Sequence, residues 1–449
     1  MSKSIRRKNK LHRLKLGFDK YKRDVKRKNP EASFSNYPLY QYIRRSKLKQ
    51  KPEYSDTTKY FLKNKSFFGQ ENESFKENNI LLIPKVFSIT DNYNETTLFF
   101  KRILNSLYQD PSEEIKIDFK DCIQMDICAS MCMDIILADF IKYHSQCRKD
   151  GHRMKIHSII PINVNSYNIQ KILFSVGTYK NLKGFEIDFP NLIPFPIIIG
   201  DKNNPKLQEK REIDITKTID YIIECLGKLK RTLTNKAETN LYKAVGEIVI
   251  NAEEHSDKTK RYIIGYFEKI ETSDDKNYGV LNLSILNFGK TYYETFKESD
   301  NEEVTKQMKS ISRRYTTNGL FKKKKFEEET LWTLYALQDG VTSTKDWKRG
   351  NGAIRFIESF FDLKGNCSND DISKMVITTG HTQIIFDGKY QITKQKRNNT
   401  IFKMMTFNHS ENIEDIPDEK YVKYQENYFP GTIISVKLKL DYENTIEIN

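Results

Sequence analysis

The sixteen residues Leu241–Ser256, LYKAVGEIVINAEEHS, constrain this chain more than any other stretch. Leu241, Val245, Ile248 and Ala252 recur at helical spacing, so the segment reads as a helix with one face packed on a core. Glu247, Asn251 and His255 stand four residues apart and line a polar stripe on the same helix. Such a stripe costs desolvation unless it meets water or a polar partner. It reads either as the solvated side of a surface helix or as one wall of a site for phosphate-bound Mg²⁺, a hard cation that prefers oxygen ligands.

Three stretches downstream bear on that choice. Val280–Thr291, VLNLSILNFGKT, alternates like a β-strand and ends in a turn at Asn287-Phe288-Gly289. Arg349–Phe361, RGNGAIRFIESFF, sets Gly350 and Gly352 before a helical pattern with Ile354, Ile357 and Phe361 on one side. Glycines there let backbone N–H groups approach an anion at the positive end of the helix. Gly431-Thr432 leads a last strand, TIISVKLKL. Met375–Tyr390 between them alternates like a hairpin.

In this order and spacing the four stretches resemble the GHKL superfamily of ATP-binding proteins (gyrase, heat-shock chaperone, histidine-kinase and MutL types). The resemblance spans about 190 residues and implies ATP and Mg²⁺ as ligands. Asn251 matches the metal-binding Asn, and Glu247 matches the residue that positions or deprotonates water. His255 would reach a phosphate or the metal's water shell. Asn287 and Gly289 occupy the adenine-reading motif, with Asn in place of its Asp and Thr291 in place of its second Gly. Gly350 and Gly352 match the glycine box over the triphosphate, and Thr432 the threonine near the base. Tyr292–Lys348 then falls where the ATP lid belongs; it is long and basic, with a helical pattern at Glu328–Asp339.

The expected fold class is α/β (α+β). Residues 1–77 form a basic arm and irregular connector, and 78–192 an α/β module. Residues 193–212, which include the proline-rich Pro194–Pro205, are a linker, and 213–449 carry the GHKL-like part. In the module, strands are expected at Ile80–Ile83, Ile115–Phe119, Met154–Ile160 and Gly184–Phe189. Helices are expected at Glu95–Leu107, Asp126–Tyr143 and Asn168–Val176, and another at Ile213–Lys230 beyond the linker. The strand IKIDFKDC, then Met125-Asp126, then a helix of small and apolar residues resemble a STAS-like domain, the fold of anti-sigma-factor antagonists. Ile127 stands where their phosphorylatable Ser belongs, and Ser130 lies one turn on. No His precedes the GHKL-like part on a dimerisation helix, which argues against histidine kinase activity.

The formal net charge of +15 is uneven. Residues 1–30 carry thirteen Lys and Arg against Asp19 and Asp24, a net +11. Leu11, Leu14, Phe18, Tyr21 and Val25 give this stretch an apolar helical stripe, and Asn29-Pro30 should end the helix. Its partner is nucleic-acid phosphate, an anionic membrane surface, or protein; the stripe favours docking on protein, leaving the basic side for a polyanion. No apolar run is long enough to span a bilayer, and the six cysteines form no C-x-x-C pair. With no secretory signal at its start, the chain is expected in the cytoplasm.

The leading expectation is an ATP-binding switch with weak Mg²⁺-dependent ATPase activity, acting on a protein or nucleic-acid partner. Gyrase-like enzymes reach a lysine to the γ-phosphate from a second domain, and no segment after Leu440 is expected to supply one, so slow turnover or ATP used as a conformational switch is as much expected as fast catalysis. The alternatives are a Ser/Thr kinase of the anti-sigma type and a non-catalytic scaffold with a decayed pocket. A salt titration tests the arm: if phosphates are its partner, affinity for duplex DNA or RNA should fall steeply between 50 and 200 mM salt, roughly a thousandfold or more for six contacts. A flat response would remove nucleic acid from its partners.

Overall fold

The computed structural model describes residues 19–31, 51–63, 79–109, 114–152, 154–156, 158–176, 189–256, 260–271, 278–316, 326–343, 352–364, 370–397, 400–440 and 445–448. Gly350, the basic run 322–325, residues 184–188 of the strand expected at Gly184–Phe189 and the stripe residues Leu11, Leu14 and Phe18 lie outside them. Two compact units result, one of residues 1–54 with 140–155 and one of 55–139 with 156–449. In the first unit residues 19–28 are helical and stop before Asn29-Pro30, as expected. Tyr21 is exposed there, while Tyr54 and Tyr143 pack with ring centroids 4.7 Å apart.

The second unit opens with α1 (Asp56–Lys63), β1 (Ile80–Leu82), β2 (Val86–Phe87), α2 (Tyr93–Leu104), β3 (Glu114–Asp118), β4 (Gln124–Met125), α3 (Ile127–Lys149), β5 (Ser158–Ile162) and α4 (Tyr167–Ser175). The last turns of α3, from Phe140, belong to the first unit. Strands β1, β3 and β5 make a parallel sheet in the order β1-β3-β5, and β2 pairs in parallel with β4. Asp126 caps α3 through Ala129 N–H (2.7 Å) and accepts from the Ser88 hydroxyl (2.6 Å). Ser130 is 1% exposed, sealed away from any modifying enzyme.

There follow β6 (Leu192–Gly200), α5 (Leu207–Gly227), β7 (Arg231–Leu233), α6 (Asn235–Glu254), β8 (Arg261–Ile270), β9 (Tyr278–Phe288), α7 (Tyr292–Lys297), α8 (Glu302–Thr316), α9 (Glu328–Ala336), α10 (Gly352–Lys364), β10 (Lys374–Phe386), β11 (Thr393–Arg397), β12 (Thr400–Met404), β13 (Val422–Leu440) and β14 (Thr445–Glu447). Five of these strands form an antiparallel sheet in the order β10-β13-β9-β8-β6. The chain is of the α/β class, and among the described residues no helix is long and apolar enough to cross a membrane.

Strand alternation sends one set of side chains to each face of this sheet. Leu281, Leu283 and Ile285 join Ile434 and Val436 against the apolar faces of α5, α6 and α10. The opposite set meets the parallel module: Cys128 Sγ lies 3.2 Å from Ser284 Oγ, and Phe61 packs edge-on to Phe288 at 4.7 Å. Gln383 Nε2 donates to the Ile89 carbonyl (3.1 Å). A sheet covered on both faces explains the near-continuous burial of β8, β9 and β10.

Three expectations need correction. Residues 193–200 are no linker: they belong to edge strand β6, and α5 starts at Leu207. Edge strands tolerate proline because one side needs no N–H donor, and Pro196 sits in a register shift between Phe195 and Ile198. Met375–Tyr390 is no hairpin but largely one bent strand, β10, paired along its length with β13. The bend lies at Gly380 (φ +56°), where a Cβ would strike the Glu329 carboxylate that accepts from His381 N–H (2.7 Å). The connector is not wholly irregular, since α1 buries Thr57, Thr58 and Phe61. Smaller boundary shifts include the strand expected from Met154, which begins at Ser158, and the last strand, which starts ten residues early at Val422.

Behind α6 lies a buried ion cluster. Arg261 Nη2 meets Asp214 at 2.7 Å and Arg261 Nε meets Glu253 at 3.0 Å, all three residues at most 2% exposed. Removing one member of such a group strands its partners' charge. We expect Arg261→Ala to cost about 3–5 kcal/mol, read as a lower urea midpoint; an unchanged midpoint would show that Lys210 and Arg211 alone satisfy the two carboxylates.

Candidate functional site

Helix α6 starts cleanly, with the Thr234 hydroxyl accepting from Ala237 N–H (3.3 Å). Its far end is fixed by the turn after β9: Lys290 N–H donates to the His255 carbonyl (3.2 Å). The helix can come this close because Gly289 (φ +151°) has no side chain; a Cβ there would collide with that carbonyl. Gly289 N–H donates to the Pro430 carbonyl (3.2 Å), and its own carbonyl accepts from Tyr60 (2.9 Å). Gly431 is equally constrained, because a Cβ would strike the Asn287 carbonyl.

This junction brings together residues from separate motifs. Asn251 and His255 from α6, Asn287 from β9 and Thr432 from β13 line one cleft with Ile248, Ala252, Ile285, Ile434, Lys290, Tyr292 and Thr295. Asn287 and Thr432 are cross-strand partners, as are Asn287 and Arg261. Gly289 lies behind the lining and serves as a spacer. Gly352 opens α10, which packs along α6. Gly350 is outside the described residues.

The cleft has an apolar part and a polar part. Ile248, Ile285 and Ile434 surround Asn287, which is 3% exposed and whose Nδ2 has no hydrogen-bond partner. An unsatisfied buried donor is costly and calls for an acceptor. Nearby, the Thr432 and Thr379 hydroxyls share a hydrogen bond (2.9 Å). His255 and Lys290 bring the nitrogen groups, with Lys290 Nζ paired to Glu298 at 2.8 Å.

The space between these side chains is only about 20 Å³, room for about one water molecule. Tyr292, one of the lining residues, was not singled out by the sequence reading. It is the first residue of α7, whose N-cap Thr291 forms a reciprocal capping box with Glu294. The sequence signal was present in Thr291-Tyr-Tyr-Glu294, which has the spacing of a capping box. Thr291 is therefore where it is to start a helix. Burial, with the Glu247 carboxylate as a second cause, pushes the Tyr292 hydroxyl up to about 12. Glu247, half-buried one turn before Asn251, thus lies within electrostatic reach of this ring.

The segment expected to be a lid is largely folded. Trp332 is 1% exposed and its Nε1 donates to Ser312 Oγ (3.1 Å), tying α9 to α8. Among the described residues no group of three or more His, Cys, Asp or Glu gathers to hold a metal ion. Mg²⁺ bound through phosphate oxygens and one Asn oxygen needs no such group. No family model, curated protein or solved structure matches the chain.

The tyrosine gives a pH test. Between the ordinary tyrosine pKa of about 10 and about 12, the unfolded chain releases this proton while the folded chain keeps it. Stability therefore falls as pH rises through that window. Tyr292→Phe should remove up to about 2–3 kcal/mol of that fall, measured by urea unfolding at pH 9 and 11.5. An identical slope in both proteins would place the ring in water.

Proposed function

We propose that this chain binds a Mg²⁺–nucleoside triphosphate of the ATP type in the cleft between α6 and the ends of β9 and β13. It would act as a nucleotide-driven switch of GHKL type with weak hydrolysis. One observation carries this reading: Asn251, His255, Asn287 and Thr432, drawn from three separate motifs, line a single cleft. Asn251 offers one side-chain oxygen to the metal, and His255 and Lys290 offer nitrogen groups to phosphates. Glu247 is the carboxylate on hand to orient or deprotonate water.

Bound Mg²⁺ would neutralise phosphate charge; the chain's own residues must admit, orient and shield the ligand. Admission is the difficulty. Nucleotide-sized sites enclose roughly 300–1,000 Å³, against about 20 Å³ here. Binding in this reading requires Tyr292 to leave, together with the start of α7. The same small volume favours a second reading, a non-catalytic scaffold whose pocket is permanently filled.

Titration calorimetry with Mg²⁺-ATP separates the two. We expect binding by the full chain, weakened at least tenfold by Asn251→Ala and strengthened by Tyr292→Ala. Glu247→Ala should abolish phosphate release while preserving binding. No heat with either the native chain or Tyr292→Ala leaves only the scaffold. Label transferred from [γ-³²P]ATP to protein, instead of free phosphate, would make the chain a Ser/Thr kinase.

A further inference from the structure

We infer that the base end of this cleft accepts 6-oxopurines, guanine and hypoxanthine, as well as adenine. The ligand class is then purine nucleoside triphosphates and not ATP alone; this rests on the nucleotide reading above. The inference comes from the hydrogen-bonding polarity of the wall. Three apolar side chains, Ile248, Ile285 and Ile434, line the cleft beside Asn287, the apolar surround a ring system needs once Tyr292 has moved aside. Asn287 is 97% buried, and its Nδ2 has no partner. Its cross-strand neighbour Thr432 bonds only hydroxyl to hydroxyl with Thr379, so either can be the donor.

The Asn287 carboxamide and the Thr432 and Thr379 hydroxyls all have reversible polarity. A carboxamide presents one donor and one acceptor side by side, and a half-turn of the amide exchanges them. Hydroxyl hydrogens rotate in the same way. Adenine offers a donor at its 6-amino group and an acceptor at N1. A 6-oxopurine offers an acceptor at O6 and a donor at N1. Asn287 matches both edges in its two orientations, and either edge satisfies the orphaned Nδ2. Strong rejection of the wrong base needs a group of fixed polarity left unpaired by it. A carboxylate at this position would be such a group, since it only accepts and would face O6 lone pair to lone pair.

The test is calorimetric titration of the full chain with Mg²⁺-ATP, Mg²⁺-GTP and Mg²⁺-ITP, then of Asn287→Asp with the same three. We expect GTP and ITP within tenfold of ATP for the native chain. In Asn287→Asp the preference for ATP should widen beyond tenfold. Thermal unfolding checks that the variant folds, and the native comparison stands without it. Native binding of ATP with GTP and ITP more than tenfold weaker overturns the inference and leaves the nucleotide site intact. So does a folded variant with an unchanged ratio. If none of the three nucleotides binds, the site itself falls, and this inference with it.

Discussion

The short contact between the last carbonyl of α6 and the turn after β9 holds the candidate site together. Carbonyls at a helix C-terminus need partners from outside the helix, and Lys290 N–H supplies one to His255. Gly289 makes the approach sterically allowed, and the Asp214–Arg261–Glu253 cluster fixes the same helix end from behind. With both sides of the junction fixed, the stripe on α6 has no freedom to turn outward. Asn251 and His255 must face Asn287 and Thr432.

Much of this was legible because it is local. The helical spacing of Leu241, Val245 and Ile248 and the alternation of Val280–Asn287 each follow from one element's own period. Less legible was whatever a distant partner decides. Pro194 and Pro196 look like loop residues until β8 pairs with them and the bulge after Phe195 absorbs the misfit. Gly380 looks like a turn between two strands until the nineteen residues of β13 run past it on one side. Helix α1 could not be inferred from eight mostly polar and aromatic residues; burial of Phe61 against Phe288 from a distant strand stabilises it. Asn251, His255, Asn287 and Thr432 were readable one motif at a time, but Tyr292 and the size of the space between them were not. Volume depends on which rotamers of Tyr292 and its neighbours pack together, and no periodicity encodes that.

The capping box at Thr291 and the small cleft are one feature. A glycine at that position would leave the chain free to pass the site as a loop. Thr291 instead starts α7, with its hydroxyl accepting from Glu294 N–H (3.1 Å) and the Glu294 carboxylate accepting from Thr291 N–H (2.9 Å). The Tyr428 hydroxyl holds Glu294 from β13 (2.8 Å). A helix fixed at its first residue fixes the direction of the next side chain, and that side chain is Tyr292. Opening the cleft thus means breaking several hydrogen bonds worth about 1 kcal/mol each.

The same turn reaches the far face of the sheet. Gly289 accepts the Tyr60 hydroxyl from α1, and the neighbouring Phe288 packs against Phe61. Residues 288–292 therefore carry, within five positions, a contact to α1, a spacer against α6, a lysine at the cleft and a tyrosine that lines it. Side chains packed this closely do not deform independently. Tyr60 and Phe61 rest on the same turn, at Gly289 and Phe288. Contacts on the two faces of the sheet thus meet in one turn, and a change in its backbone is felt at α1 and at α6 together.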